Sequence, residues 1–98
     1  MRFLLRYNHG MEYERPHMDF PTIFRLRVIG ANQDDFATFV MVEVRKHVPD
    51  LTEDGIEARP SNGGKYLAVK VSFVAESREQ LDAIYAHLST QDRVIYLL

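Results

Sequence analysis

Hydrophobic and polar positions along this chain change period repeatedly, and each change marks an element. From Ile23 to Ile29, the apolar residues Phe24, Leu26 and Val28 alternate with Arg25 and Arg27, the two-residue period of a half-buried strand. Gly30 closes it where a side chain would hinder a turn. From about Gln33 to His47 the period lengthens to that of a helix, with Phe36, Ala37, Val40, Met41, Val44 and Val48 on one broad face. Asn32 is its expected N-cap, Asp34 and Asp35 fall in the first turn, and Pro49 blocks continuation. A short strand is expected over Gly55 to Pro60, with Ile56 and Ala58 inward. Ser61-Asn62-Gly63-Gly64 is a hairpin signal, since glycine and asparagine tolerate positive φ. Lys65 to Ala75 then alternates cleanly: Leu67, Val69, Val71 and Phe73 form one face, and Tyr66, Ala68, Lys70 and Ser72 the other. Ser77 with Gln80 makes a capping box for a second helix carrying Leu81, Ile84, Tyr85 and Leu88. The closing strand, Arg93 to Leu98, is apolar almost throughout, so its facing is ambiguous. The favoured choice puts Val94, Tyr96 and Leu98 inward and Ile95 and Leu97 outward.

The resulting order is strand, helix, strand, strand, helix, strand. It predicts an α+β fold, the ferredoxin-like split βαβ sandwich (βαββαβ), with an antiparallel four-stranded sheet and two helices on one face. Residues 20–98 form a single domain. Residues 1–19 show no sustained period and read as a loose arm, with a short strand at Phe3 to Tyr7; Met18 offers an alternative start. Helices on one side leave the other side of the sheet open. That side is expected to carry Arg25, Arg27, Ile29, Arg59, Tyr66, Lys70, Val74, Ile95 and Leu97. A surface that mixes apolar and basic groups is the expected working surface. Phe39 and Val42 lie off the apolar face of the first helix, and two readings stand. They form a docking patch, or the arm folds back over them through Phe3, Leu4 or Tyr7.

Composition narrows the chemistry. Ninety-eight residues, 46% of them hydrophobic, make one small globular domain with a thin core. A net charge of −2 demands no polyanionic partner, and the absence of cysteine removes disulfides, thiolate chemistry and zinc ribbons. No apolar run reaches the roughly 20 residues of a membrane helix, so no membrane role is expected and the cytoplasm is the expected location. The four histidines show no ligand spacing. His47 falls at a helix C-terminus, where its charged form is favoured, and His87 on the solvent side of the second helix. Asp34-Asp35 and Glu53-Asp54 have no apolar neighbours to raise a carboxyl pKa. The glycines of Ser61-Asn62-Gly63-Gly64 lie between strands, not before a helix, so a hairpin outweighs a phosphate cradle. No catalytic residues, metal site or cofactor are expected. RNA binding across the open face is the alternative, but it is disfavoured because Tyr66 is the one aromatic residue facing out from the first and third strands.

Phe20-Pro21-Thr22-x-Phe24, Val28-x-Gly30, His47-x-Pro49, Ser61-x-x-Gly64-x-Tyr66 and Tyr85-x-x-Leu88 together resemble the YbeD-like family of small bacterial proteins, over roughly Asp19 to Leu98. That family is a domain of unknown function. The resemblance implies an ACT-like α/β fold, and the family's association with lipoate metabolism implies a regulatory role. Phe39 and Val42 stand where polar residues are expected in that family. In ACT-like domains, the glycine of the loop after the first strand admits a small amino-acid-like effector. The resemblance therefore makes Gly30 and Asn32 candidate effector-binding residues, against the simpler reading of a tight turn. The combined expectation is a non-enzymatic regulatory or interaction module. It would bind a small effector, a protein partner or a second copy, with Arg25, Arg27, Tyr66, Lys70, Phe39 and Val42 as candidate interaction residues.

Overall fold

The computed structural model of the chain describes residues 18–98. The expected arm, its short strand at Phe3 to Tyr7, and His9 and His17 lie outside or almost wholly outside these residues. Met18, at the end of that stretch, packs against the core. The elements run β1 (Thr22–Ala31), α1 (Phe36–Arg45), a 3-10 turn (Glu53–Gly55), β2 (Ile56–Pro60), β3 (Tyr66–Ala75), α2 (Arg78–Ser89) and β4 (Val94–Leu97). The sheet order is β2-β3-β1-β4 with every neighbouring pair antiparallel, which is the ferredoxin-like arrangement. β1 and β3 pair along their full lengths, from Thr22 opposite Ala75 to Ala31 opposite Tyr66. This register sets Leu26, Val28, Val69, Val71 and Phe73 on the helix side, where they bury against Phe36, Val40 and Val44 of α1 and Leu81, Ile84 and Leu88 of α2.

The hairpin between β2 and β3 turns at Gly63 and Gly64, both at positive φ, and closes through Ser61 N–H donating to Tyr66 O at 2.8 Å. α2 starts as its capping box predicts. Gln80 N–H donates to Ser77 Oγ at 3.1 Å, and Gln80 Oε1 accepts from Glu76 N–H at 2.7 Å, one residue before the usual partner. Tyr85 on α2 is buried edge-on to Phe24, which in turn packs on Phe73, and its hydroxyl donates to the main-chain oxygen of Leu98 at 3.2 Å. Burial pushes that hydroxyl's pKa up to about 12.

Four expectations are corrected. α1 begins at Phe36, not near Gln33, and Asn32 does not cap it. The Asn32 amide instead donates across to Gly64 O at 2.9 Å, tying the loop after β1 to the hairpin. Asp35 occupies the N-cap position without making a side-chain cap, because Arg93 claims its carboxylate at 2.7 and 3.3 Å. The Arg93 guanidinium also holds that carboxyl below its ordinary range. Second, Ala58 is exposed: β2 is an edge strand whose first residue, Ile56, packs against the core while the rest of the strand lies beyond it. Third, Phe39 packs on the core. Its ring stacks on Phe36 at 6.1 Å, and the Arg93 guanidinium lies 4.8 Å from its centroid. Val42 alone of the pair is exposed.

The fourth correction concerns β4. Val94 and Leu97 are buried while Ile95, Tyr96 and Leu98 are exposed, so neither simple parity holds. The cause is a bulge: Ile29 pairs with Tyr96, but Gly30 pairs with Val94, and Ile95 is left over. Regular alternation would set Ile95 beside Leu97 on the core side; the bulge puts Val94 there instead and turns Ile95 out.

Candidate functional site

The open face of the sheet is built by the alternation that also builds the core. Residues of β1 and β3 that do not face the helices face out, and the register lines them up in rungs. Ile23 lies opposite Val74, Arg25 opposite Ser72, Arg27 opposite Lys70, and Ile29 opposite Ala68. β2 adds Glu57 beside Lys70 and Arg59 beside Ala68. On the other side Leu98 joins Arg27 through reciprocal backbone hydrogen bonds of 3.2 and 2.9 Å, and Tyr96 lies beside Ile29. Leu97, expected on this face, is turned to the core by the bulge.

A groove of about 440 Å³ runs across these rungs, lined by Arg27, Ile29, Glu57, Arg59, Ala68 and Lys70. A smaller depression adjoins it at Arg25, Arg27, Lys70 and Leu98. Glu57 sits between two cations, 3.2 Å from Lys70 Nζ and 3.8 Å from Arg59 Nη2. Among the described residues, no carboxylate pairs with Arg25 or Arg27. Arg25, Arg27 and Lys70 thus share one surface, as their parity predicts. Tyr66 lies on the same face at its far end, opposite Ala31.

Gly30 and Asn32 lie elsewhere. A Cβ on Gly30 would meet the edge of the Phe36 ring and come within 2.6 Å of the Arg93 carbonyl oxygen. Close packing thus gives Gly30 a reason of its own, and Asn32 is engaged by Gly64. Phe39 and Val42 are on the helix layer, remote from the groove. Whether the arm covers Val42 lies outside the described residues.

A cluster that the sequence reading missed joins α1 to α2. Glu43 Oε1 lies 2.7 Å from His87 Nε2, and His87 Nδ1 lies 2.9 Å from His47 Nε2, with the imidazoles edge to face at 5.0 Å. Lys46 donates to the same Glu43 oxygen at 3.0 Å, and Gln80 Nε2 donates to His47 O at 3.0 Å. His87 therefore faces α1, not solvent. Burial, then the charges of His87 and Lys46, lowers the His47 pKa, so the charged form expected at a helix end is disfavoured. Lys46 and His87 hold Glu43 ionised below its ordinary range. No spacing could have signalled this cluster, because its histidines are forty residues apart. Among the described residues no group of His, Cys, Asp or Glu is arranged to hold a metal, and no helix is long and apolar enough to cross a membrane.

A family model described as a protein of unknown function (DUF493) matches residues 15–98. The chain belongs to the DUF493 family. Its curated relatives include the UPF0250 protein of Chromobacterium violaceum, 40% identical over 80 residues, covering 82% of this chain and 90% of the relative. The UPF0250 protein of Ralstonia nicotianae is 40% identical over 81 residues, covering 83% and 84%. That of Neisseria gonorrhoeae is 38% identical over 81 residues, covering 83% and 89%. Membership of DUF493 bears out the YbeD-like resemblance read from the motifs. Among solved structures, protein HP0495 from H. pylori, determined in solution, aligns with TM-score 0.68 at 18% identity. The alignment covers 93% of this chain and 96% of that one, a likeness that concerns the fold alone.

Proposed function

We propose that this DUF493 protein is a non-catalytic interaction module whose working surface is the open face of its sheet. One observation carries the reading. The β1–β3 register concentrates Arg25, Arg27 and Lys70 beside an apolar floor of Ile29 and Ala68, and leaves both arginines without a carboxylate partner among the described residues. Like charges set opposite one another across strands destabilise a sheet. Arg27 beside Lys70 is thus an arrangement that folding alone does not favour, and a bound partner supplies the reason for it. A small effector at Gly30 and Asn32 is less well supported, since packing and a hydrogen bond already account for both residues.

The test is site-specific photo-crosslinking in the native host. A crosslinking side chain at Tyr66 or Tyr96, on the sheet face, is compared with one at Ala83 or Ala86, exposed on α2. Discrete adducts from the sheet positions alone are expected. Adducts confined to α2, or none from either surface, would remove the reading.

A further inference from the structure

The order of side chains along the open face narrows what docks there. Same-face residues on a strand repeat roughly every 6.6 Å. Over about 20 Å the rungs run from apolar Ile23 with Val74, to Arg25 with Ser72, to Arg27 with Lys70 flanked by Glu57 and Leu98, to Ile29 with Ala68 flanked by Arg59 and Tyr96. One end is well exposed, Ile23 at 61% and Val74 at 48%; at the other Tyr96 is exposed while Ile29 and Ala68 are half-buried. Resting on the reading of this face as a docking surface, we infer that its partner is an acidic protein segment with apolar residues at both ends of the acidic stretch.

Three considerations favour this occupant. Carboxylates complement the two arginines that Glu57 does not reach, while the exposed Ile23, Val74 and Tyr96 take apolar contact that a bare polyanion cannot give. A second copy docked face to face would set one basic belt against another. A single-stranded nucleic acid needs aromatic platforms on the central strands, yet among the described residues these strands turn out only Tyr66, at the far end of the face, while Phe24 and Phe73 lie on the helix side, Phe24 edge-on to Tyr85. A helix of about thirteen residues covers 20 Å, so a short amphipathic segment spans the face.

The probe is a synthetic peptide of about thirteen residues, a length set by the helical rise, with glutamates in the middle and leucines at both ends. It is titrated against the full 98-residue chain by fluorescence anisotropy at low and physiological salt. Controls replace its leucines by serine or its glutamates by lysine, and an oligouridine tests nucleic acid. The acidic, leucine-ended peptide should bind best, and more weakly as salt screens the arginines. Serine replacement and the double change Arg25→Ala/Arg27→Ala should each weaken it by roughly tenfold or more. Lys70→Ala is an independent check should the double variant fail to fold. Equal binding of the lysine peptide, indifference to the arginine and lysine changes, preference for oligouridine, or no binding by any peptide would each overturn the inference. Sheet-face crosslinks without peptide binding would discard the acidic segment and leave the docking face standing; loss of both would discard both.

Discussion

At the scale of single residues, Gly30 and Phe39 decide how β1, α1 and β4 meet. The Gly30 backbone lies against the fully buried Phe36 ring and the Arg93 carbonyl, neither of which can retreat cheaply. Gly30→Ala should therefore destabilise the fold by about 1–3 kcal/mol, the usual cost of overpacking. Urea unfolding monitored by circular dichroism measures it, and a neutral result would mean that this junction is looser than described. Phe39, which looked like a surface residue by helical spacing, is held between Phe36 and the Arg93 guanidinium. Arg93 is itself fixed by Asp35 and Gln33. Phe39→Ser should lower monomer stability by roughly 1–3 kcal/mol, less than for a wholly buried Phe, and Arg93→Ala by a smaller amount through lost packing on the ring. The same unfolding curves read both, and an unchanged midpoint for Phe39→Ser would return that residue to the surface. Helical periodicity could not place Phe39, because its cover comes from a residue more than fifty positions later.

At the scale of elements, the Glu43–His87–His47 cluster fastens the C-terminal half of α1 to α2. Its pH dependence follows from two depressed pKa values. His47 is disfavoured as a cation in the fold, so below its ordinary value of 6.5 the unfolded chain binds the proton more readily. The stability it contributes is present above that pH and is lost as pH falls toward the folded value. Glu43, also depressed, contributes stability above its ordinary 4.5 that is lost at lower pH. Acidification should therefore loosen the helical layer in two stages. Urea midpoints between pH 7.5 and 5.5 should fall for the wild type and fall less steeply for His47→Gln; identical slopes would show that His47 does not take part. Elements set by local pattern were legible from the chain: β1 and β3 from alternation, the hairpin from its glycines, α2 from its capping box. The start of α1 was not, because Gly64 draws Asn32 away and Arg93 draws Asp35 away from capping. The basic rungs of the open face were legible because parity alone places them, whereas the histidine cluster depends on how two helices dock.

At the scale of the whole molecule, a chain of net charge −2 gathers Arg25, Arg27, Lys70 and Arg59 on one face, where among the described residues Glu57 is the one acidic side chain lining the groove. That concentration should cost stability in the free protein. Arg27→Thr, which removes a cation directly opposite Lys70, should stabilise the fold by about 0.2–1 kcal/mol at low salt, with the gain shrinking as salt rises. A destabilised Arg27→Thr would mean that the cation serves the fold instead of a partner. The bulge in β4 has a different consequence for the molecule among its neighbours. An exposed edge strand with unsatisfied backbone groups is a template on which another chain can grow, and natural sheets spoil such templates with irregularities. Here the unpaired Ile95 breaks the rim opposite β1. Deleting Ile95 would restore plain alternation, with Val94 and Leu97 still inward and Tyr96 still outward. The edited protein should fold, yet scatter light and bind amyloid dyes on prolonged incubation where the natural one stays clear. One surplus residue then spoils the β4 rim as a template for copies of this chain.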